Sequence, residues 1–136
     1  MKKSILSIIP LISACAGEPV HTLGVRENKL APCPASPNCV SSFEENNAHN
    51  IHPIAANLDQ IAQVIVELTS ANIVNASENY LHVEFTSRIM RYVDDVEFLY
   101  SKTKNITHVR SASRVGYSDF GVNRKRVEKI RELIKK

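Results

Sequence analysis

The sequence predicts a two-layer α+β fold, a mostly antiparallel β-sheet covered on one face by two helices. Three observations predict it. Two stretches, about 58–69 and from Asn123 onward, carry apolar residues at helical spacing. Three stretches between Tyr80 and Val115 alternate apolar and polar residues. The turns between those stretches are too short for parallel crossovers, so consecutive strands form an antiparallel meander.

The first element is a targeting segment. Residues 1–14 read as a lipoprotein signal peptide: a basic Met1-Lys2-Lys3, an apolar run from Ile5 to Ile12, then Ser13 and Ala14 before Cys15. The run is far short of the roughly 20 apolar residues that span a bilayer. A cysteine after small residues resembles the lipobox of bacterial lipoproteins, which makes Cys15 the lipidated N-terminus. An ordinary secretory signal cut near a cysteine is the alternative. Ala16 stands where an Asp would favour inner-membrane retention, which points to the outer membrane. Residues 15–30 then read as the lipidated cysteine and a tether, and 31–136 as one domain with a Cys/Pro-rich loop at its start.

Removing residues 1–14 takes away Lys2 and Lys3 and no acid, so the formal charge falls from +3 to +1. A nearly neutral chain argues against nucleic acid as a partner. Cys33 and Cys39 remain as a pair, and an oxidising compartment favours a disulfide between them. Free or redox thiols and a metal site are the alternatives, although no histidine lies at ligand spacing for zinc.

Within the domain, residues 32–42 hold three prolines and read as a stiff, turn-rich loop. Residues 43–50 are polar and loop-like. Ile51-His52-Pro53-Ile54 reads as a short edge strand or extended lead-in. Asn57 and Gln60 have the spacing of a capping box, opening a helix over 58–69 with Leu58, Ile61, Ile65 and Leu68 on one face. A strand follows at 72–76. Leu81, Val83 and Phe85 then alternate with His82, Glu84, Thr86 and Arg88. Val96, Phe98 and Tyr100 alternate with Asp95, Glu97 and Leu99; Val109, Ser111, Ser113 and Val115 alternate with His108, Arg110, Ala112 and Arg114. Gly116 and Gly121 allow positive φ where strand gives way to helix. The last helix takes Asn123 as its N-cap, with Val122 and Val127 at the positions of a hydrophobic staple.

The charges are the functional signal. With the apolar residues facing the helices, the other sheet face carries Glu84, Arg88, Asp95, Glu97, Arg110 and Arg114. The plain reading is a solvated face with charge ladders, each pair contributing about 0.2–1 kcal/mol. The sharper reading is a polar groove whose arginines grip an anion bidentately. A metal site at Asp94, Asp95 and Glu97 is weakened by the alternation, which sends Asp94 to the opposite face, and by the lack of EF-hand spacing. Arg124, Lys125 and Arg126 crowd a helix start, which favours anions instead. Pairing with Asp119, Asp94 or Asp95 would offset this; so would a bound anion.

Ser111, Ser113 and Ser118 lack a G-x-S-x-G setting, and no two of the five histidines have ligand spacing. His82 and His108 share the charged face on this reading. No P-loop, dinucleotide fingerprint, cofactor motif or complete catalytic set is visible, which leans the reading away from an enzyme.

LAPCPASPNCVSS (30–42), YLHVEFTSRIMRYVDDVEF (80–98) and VRSASRVGYSDFGVNRKRVEKI (109–130) together resemble the family catalogued as domain of unknown function 1499. The resemblance covers about residues 23–133, with one departure at Met90-Arg91-Tyr92, where relatives are more apolar. It implies a small exported or membrane-associated bacterial domain, often a lipoprotein, with relatives in photosynthetic organisms and no established activity. The family's recurring residues match Cys33, Cys39, Arg88, Asp94, Asp95, Glu97, Arg110, Ser111, Ser113, Arg114, Asp119, Asn123 and Arg126 here.

The expectation is a periplasm-facing, lipid-anchored protein of the bacterial cell envelope, without a cofactor. It would bind an anionic small molecule, lipid headgroup or envelope protein through Arg88, Arg110, Arg114, Arg124 and Arg126, with Asp94, Asp95 and Glu97 orienting them. An enzyme on an anionic envelope substrate, or a structural protein whose charges only hold the fold, are the alternatives. The structural reading requires a carboxylate for every arginine.

Overall fold

The computed structural model describes residues 22–136; the expected signal peptide and Cys15 lie outside the described residues. Its elements are β1 (Cys39–Ser41), α1 (Leu58–Val66), β2 (Ala71–Ala76), β3 (Tyr80–Thr86), β4 (Val93–Ser101), β5 (Ile106–Ser113) and α2 (Val122–Ile134). The five strands form one antiparallel sheet in the order β1-β5-β4-β3-β2.

Alternation explains the main layer. Leu81, Val83 and Phe85 of β3, Val96 and Phe98 of β4, and Val109 of β5 meet Ile61 and Ile65 of α1 and Val127 and Ile130 of α2 in one core. Burying a side chain of this size contributes about 1.5–3 kcal/mol. Both helices cover the same sheet face, as the pattern predicted. The α1 capping box is formed: Gln60 N donates to Asn57 Oδ1 and Asn57 N to Gln60 Oε1, both at 3.0 Å. The helix ends at Val66, short of the expected Thr69. Leu68 N turns back to Ile65 O and Ala71 N to Leu68 O, a tight turn into β2.

Two expectations are corrected, and a third is decided between its alternatives. Cys39–Ser41 is a strand, not part of a loop, and pairs with Ala112, Ser111 and Arg110 of β5. Three residues are too few to show a period. Ile51–Ile54 is the lead-in rather than the edge strand: Ile54 makes a single bridge to Thr107 while its side chain enters the core. Asn123 is not the N-cap of α2. Gly121 precedes the helix at φ 78°, and the Asp119 carboxylate accepts from Gly121 N (2.8 Å) and Asn123 N (3.0 Å). Val122 is left exposed, so the staple frame does not apply.

The second sheet face is not solvated. Asp95 and Glu97 have no accessible surface, and Arg110 keeps 3%. The lead-in expected as a tether crosses part of this face. Leu30 packs with Tyr80, Leu99 and Phe43, and Gly24 N donates to Glu97 Oε1 at 2.7 Å. Cys33 and Cys39 are joined by a disulfide with Cα atoms 5.6 Å apart, which ties the preceding loop to the first residue of β1.

Candidate functional site

Register decides how the charges meet. On the face away from the helices, β3, β4 and β5 lie side by side with His82 opposite Glu97, Glu84 opposite Asp95, and Glu97 opposite Arg110. Arg114, just past β5, reaches back over Asp95. Its Nε and Nη2 donate to the two Asp95 oxygens at 2.8 Å each, a bidentate grip, and Nη2 also donates to Glu84. His82 Nε2 lies 2.8 Å from Asp95 Oδ1. Glu97 accepts from Tyr80 OH at 2.8 Å, from Gly24 N, and from Arg110 Nη1 at 3.4 Å. Arg110 Nε is buried and has no partner among the described residues.

Burial alone would push the Asp95 carboxyl up, but hydrogen bonds and charge from Arg114 and His82 hold it below its ordinary value. The same contact with Asp95, then Glu84, raises the Arg114 guanidinium. Burial, and then the charge and hydrogen bond of Glu97, push the Tyr80 hydroxyl up. These groups are therefore locked in the states that pair them.

A second cluster lies on the helix side, where alternation places Asp94, Ser111 and Ser113. Its hub is Asn123, fully buried in the first turn of α2. The Asn123 amide donates to Asn38 O (3.1 Å), Ser113 Oγ (2.9 Å) and Asp119 Oδ2 (2.8 Å), and its Oδ1 accepts from Ser111 Oγ (2.6 Å). Arg126 donates to Asn123 Oδ1 (2.7 Å), Ser111 Oγ (3.1 Å) and Asp94 Oδ2 (2.5 Å), and lies over the Phe85 ring. Burial would raise Asp119, but donors from Asn123 and Gly121 hold it below the ordinary carboxylate value. The excess of cations at the helix start is thus compensated from within: Arg126 by Asp94, the free amides by Asp119. Arg124 is spent on the carbonyls of Asn50 (2.7 Å) and Ala48 (3.2 Å).

The sequence-predicted residues therefore separate into four places, one of them Arg124 alone on the carbonyls of Asn50 and Ala48. Asp95, Glu97, Arg110 and Arg114 come together on the sheet face away from the helices, with the lead-in reaching Glu97. Asp94, Ser111, Ser113, Asp119, Asn123 and Arg126 come together under α2. Arg88 joins neither; it stands exposed on the β3–β4 turn. There it lines an open groove of about 700 Å³ with Thr69, Ser70, Asn72, Thr86 and Arg91. Neither Arg88 nor Arg91 has a side-chain partner among the described residues. Asp94 points away from Asp95 and Glu97, as the alternation predicted. Among the described residues no group of three or more His, Cys, Asp or Glu side chains is placed to hold a metal ion.

Sequence reasoning missed Tyr80, Asn38 and Arg91. Tyr80 was findable, because it continues the His82–Glu84 alternation; Asn38 has no local signal for a partner 85 positions away. His108 shares the sheet face of His82, as expected, but stands on β5, two strands from His82 on β3. It stacks on Phe43 with ring centres 4.2 Å apart, lies 3.1 Å from Ser42 Oγ, and is lowered by burial and then by Lys104.

No helix among the described residues is long and apolar enough to cross a membrane. A family model described as Protein of unknown function (DUF1499) matches residues 29–134. No curated protein and no solved structure matches the chain.

Proposed function

The chain belongs to this family of unknown function, and from that premise we propose that it is a lipid-anchored domain of the bacterial cell envelope that binds an anionic group through Arg88 and Arg91, rather than an enzyme. The observation that carries the reading is the distribution of the arginines. Arg110, Arg114 and Arg126 face carboxylates in buried networks. Arg124 and Arg131 are spent on backbone carbonyls. Arg88 and Arg91 keep free guanidinium forks at one turn, beside the hydroxyls of Thr69, Ser70 and Thr86. A guanidinium with unused donors suits carboxylate or phosphate; one already saturated by a buried acid does not. The two buried clusters support the structural reading for their own residues: they hold the sheet, α2 and the lead-in together.

The test is an amide-resolved NMR titration with inorganic phosphate. Amides over residues 86–92 and 69–72 shift, those of Arg110 and Arg114 stay, and Arg88→Ala/Arg91→Ala abolishes the response. Shifts centred on Arg110 and Arg114, or none anywhere, would overturn the assignment. Anchoring is tested separately: Cys15→Ser moves the protein from the membrane to the soluble fraction of the producing cell, and unchanged fractionation sinks the anchor.

A further inference from the structure

The β3–β4 turn and the β5–α2 connection end up side by side. Thr86 pairs with Val93, Asp94 pairs with Ser113, and Arg114 N donates to Val93 O at 3.3 Å. Both connections therefore project from one end of the sheet. Of the large apolar side chains exposed among the described residues, five sit on these two connections, Ile89, Met90, Tyr92, Tyr117 and Phe120, and Val122 follows at the start of α2. Ile89 is 87% exposed and Phe120 89%, close to full hydration for side chains that water disfavours. A cluster of this kind at one pole marks an interaction surface, whereas scattered single residues would not.

The pole is also ordered. Ser87 N donates to Tyr92 O at 2.8 Å and Tyr92 N to Ser87 Oγ at 2.8 Å, closing the first turn. Arg91 and Phe120 sit at φ 57° and 52°, a left-handed conformation that costs side-chain-bearing residues roughly 1–2 kcal/mol. The Asp119 carboxylate, through Gly121 N, fixes the backbone beside Phe120.

We infer that this pole docks on an anionic lipid surface. Ile89, Met90 and Phe120 enter the boundary between headgroups and acyl chains, Tyr92 and Tyr117 lie at headgroup level, and Arg88 and Arg91 contact lipid phosphates. The chemistry matches: apolar tips beside amphipathic rings and unpaired cations are what a bilayer interface accepts. The inference rests on the assignment of Arg88 and Arg91 as the ligand-bearing arginines and names their ligand class. Reach is no obstacle. A lipid on Cys15 would be joined to Gly24 by a segment that spans at most about 30 Å when extended, comparable to the length of the sheet.

The chain contains no tryptophan, so a single introduced one reports its own surroundings. Ile89→Trp and Phe120→Trp place the probe at the pole. Thr103→Trp places it on the β4–β5 turn at the far end of the sheet, about 25 Å away. Fluorescence is recorded with vesicles of phosphatidylglycerol and phosphatidylcholine, with pure phosphatidylcholine vesicles, and with soluble glycerol 3-phosphate. The expected result is a blue shift at 89 and 120 with the anionic vesicles only, and no shift at 103. Removing Arg88 or Arg91 weakens partitioning roughly fivefold each. Equal shifts at all three positions, or none at 89 and 120, overturn the inference. A response to glycerol 3-phosphate without a vesicle response keeps the anion site and rejects the bilayer; no response to either rejects both.

Discussion

Glu97 has no accessible surface and three donors converging on it, from Tyr80, Gly24 and Arg110. Asp95 beside it is equally buried and is held bidentately by Arg114. A carboxylate taken out of water this completely is tolerated because it is paired, and the pair is costly to break. Asp95→Ala leaves Arg114 and His82 facing an empty place. It should lower stability by about 3–5 kcal/mol, read as a shift in urea midpoint. Arg88→Ala, on the exposed turn, should stay within about 0.5 kcal/mol. Equal effects would mean that the buried network is not what holds this face. The two variants also separate what the sequence could not. Arg88 and Arg114 both sit in polar positions of alternating stretches, and only the structure shows one exposed and the other clasped.

At the level of elements, α2 follows a glycine and carries three cations near its start, yet it is well held. Asp119 takes the place of a capping side chain and reaches two amides and the Asn123 side chain together. Asp119→Ala should therefore cost about 0.5–2 kcal/mol, the range for a lost cap. Thermal melts followed by circular dichroism would show it, and an unchanged midpoint would transfer the role to Gly121 alone. Much of this architecture was legible. Both helices, strands β2 to β5 and the face bearing the core follow from period and turn signals, because each is long enough to repeat its pattern. β1 was not legible, since its three residues lie between prolines and a polar loop. The burial of the charged face was not legible either. Alternation says which residues share a side, but not whether a segment as unpatterned as residues 22–30 will cover it. Most members of the two buried clusters were named as candidates, but Tyr80, Asn38 and Arg91 were not, and the division into buried clusters and exposed turn depends on register.

For the whole molecule, stability should peak at intermediate pH, with limbs set by named groups. Asp95 and Asp119 are depressed in the folded chain, so between folded and unfolded values the unfolded chain binds more protons. Their contribution is complete above the ordinary value of 3.8 and is lost as pH falls further. Tyr80 is raised, so its contribution is complete below its ordinary value of 10.0 and is lost as pH rises beyond it. Tyr80→Phe should be less stable at neutral pH yet lose less on moving to pH 11; parallel alkaline limbs in the two proteins would refute the assignment. The strand order β1-β5-β4-β3-β2 also bears on assembly. β3, β4 and β5 join neighbours in the chain and need only short loops to close, so they can zip together early. β1 leaves the ribosome first, but its partner Ala112 lies near the other end of the chain. It therefore cannot pair until β5 has been made. Its place beside β5 also sets Asn38, whose carbonyl receives the Asn123 amide. The first strand of the chain is thus joined to the last, and through Asn38 it ties the sheet to the terminal helix.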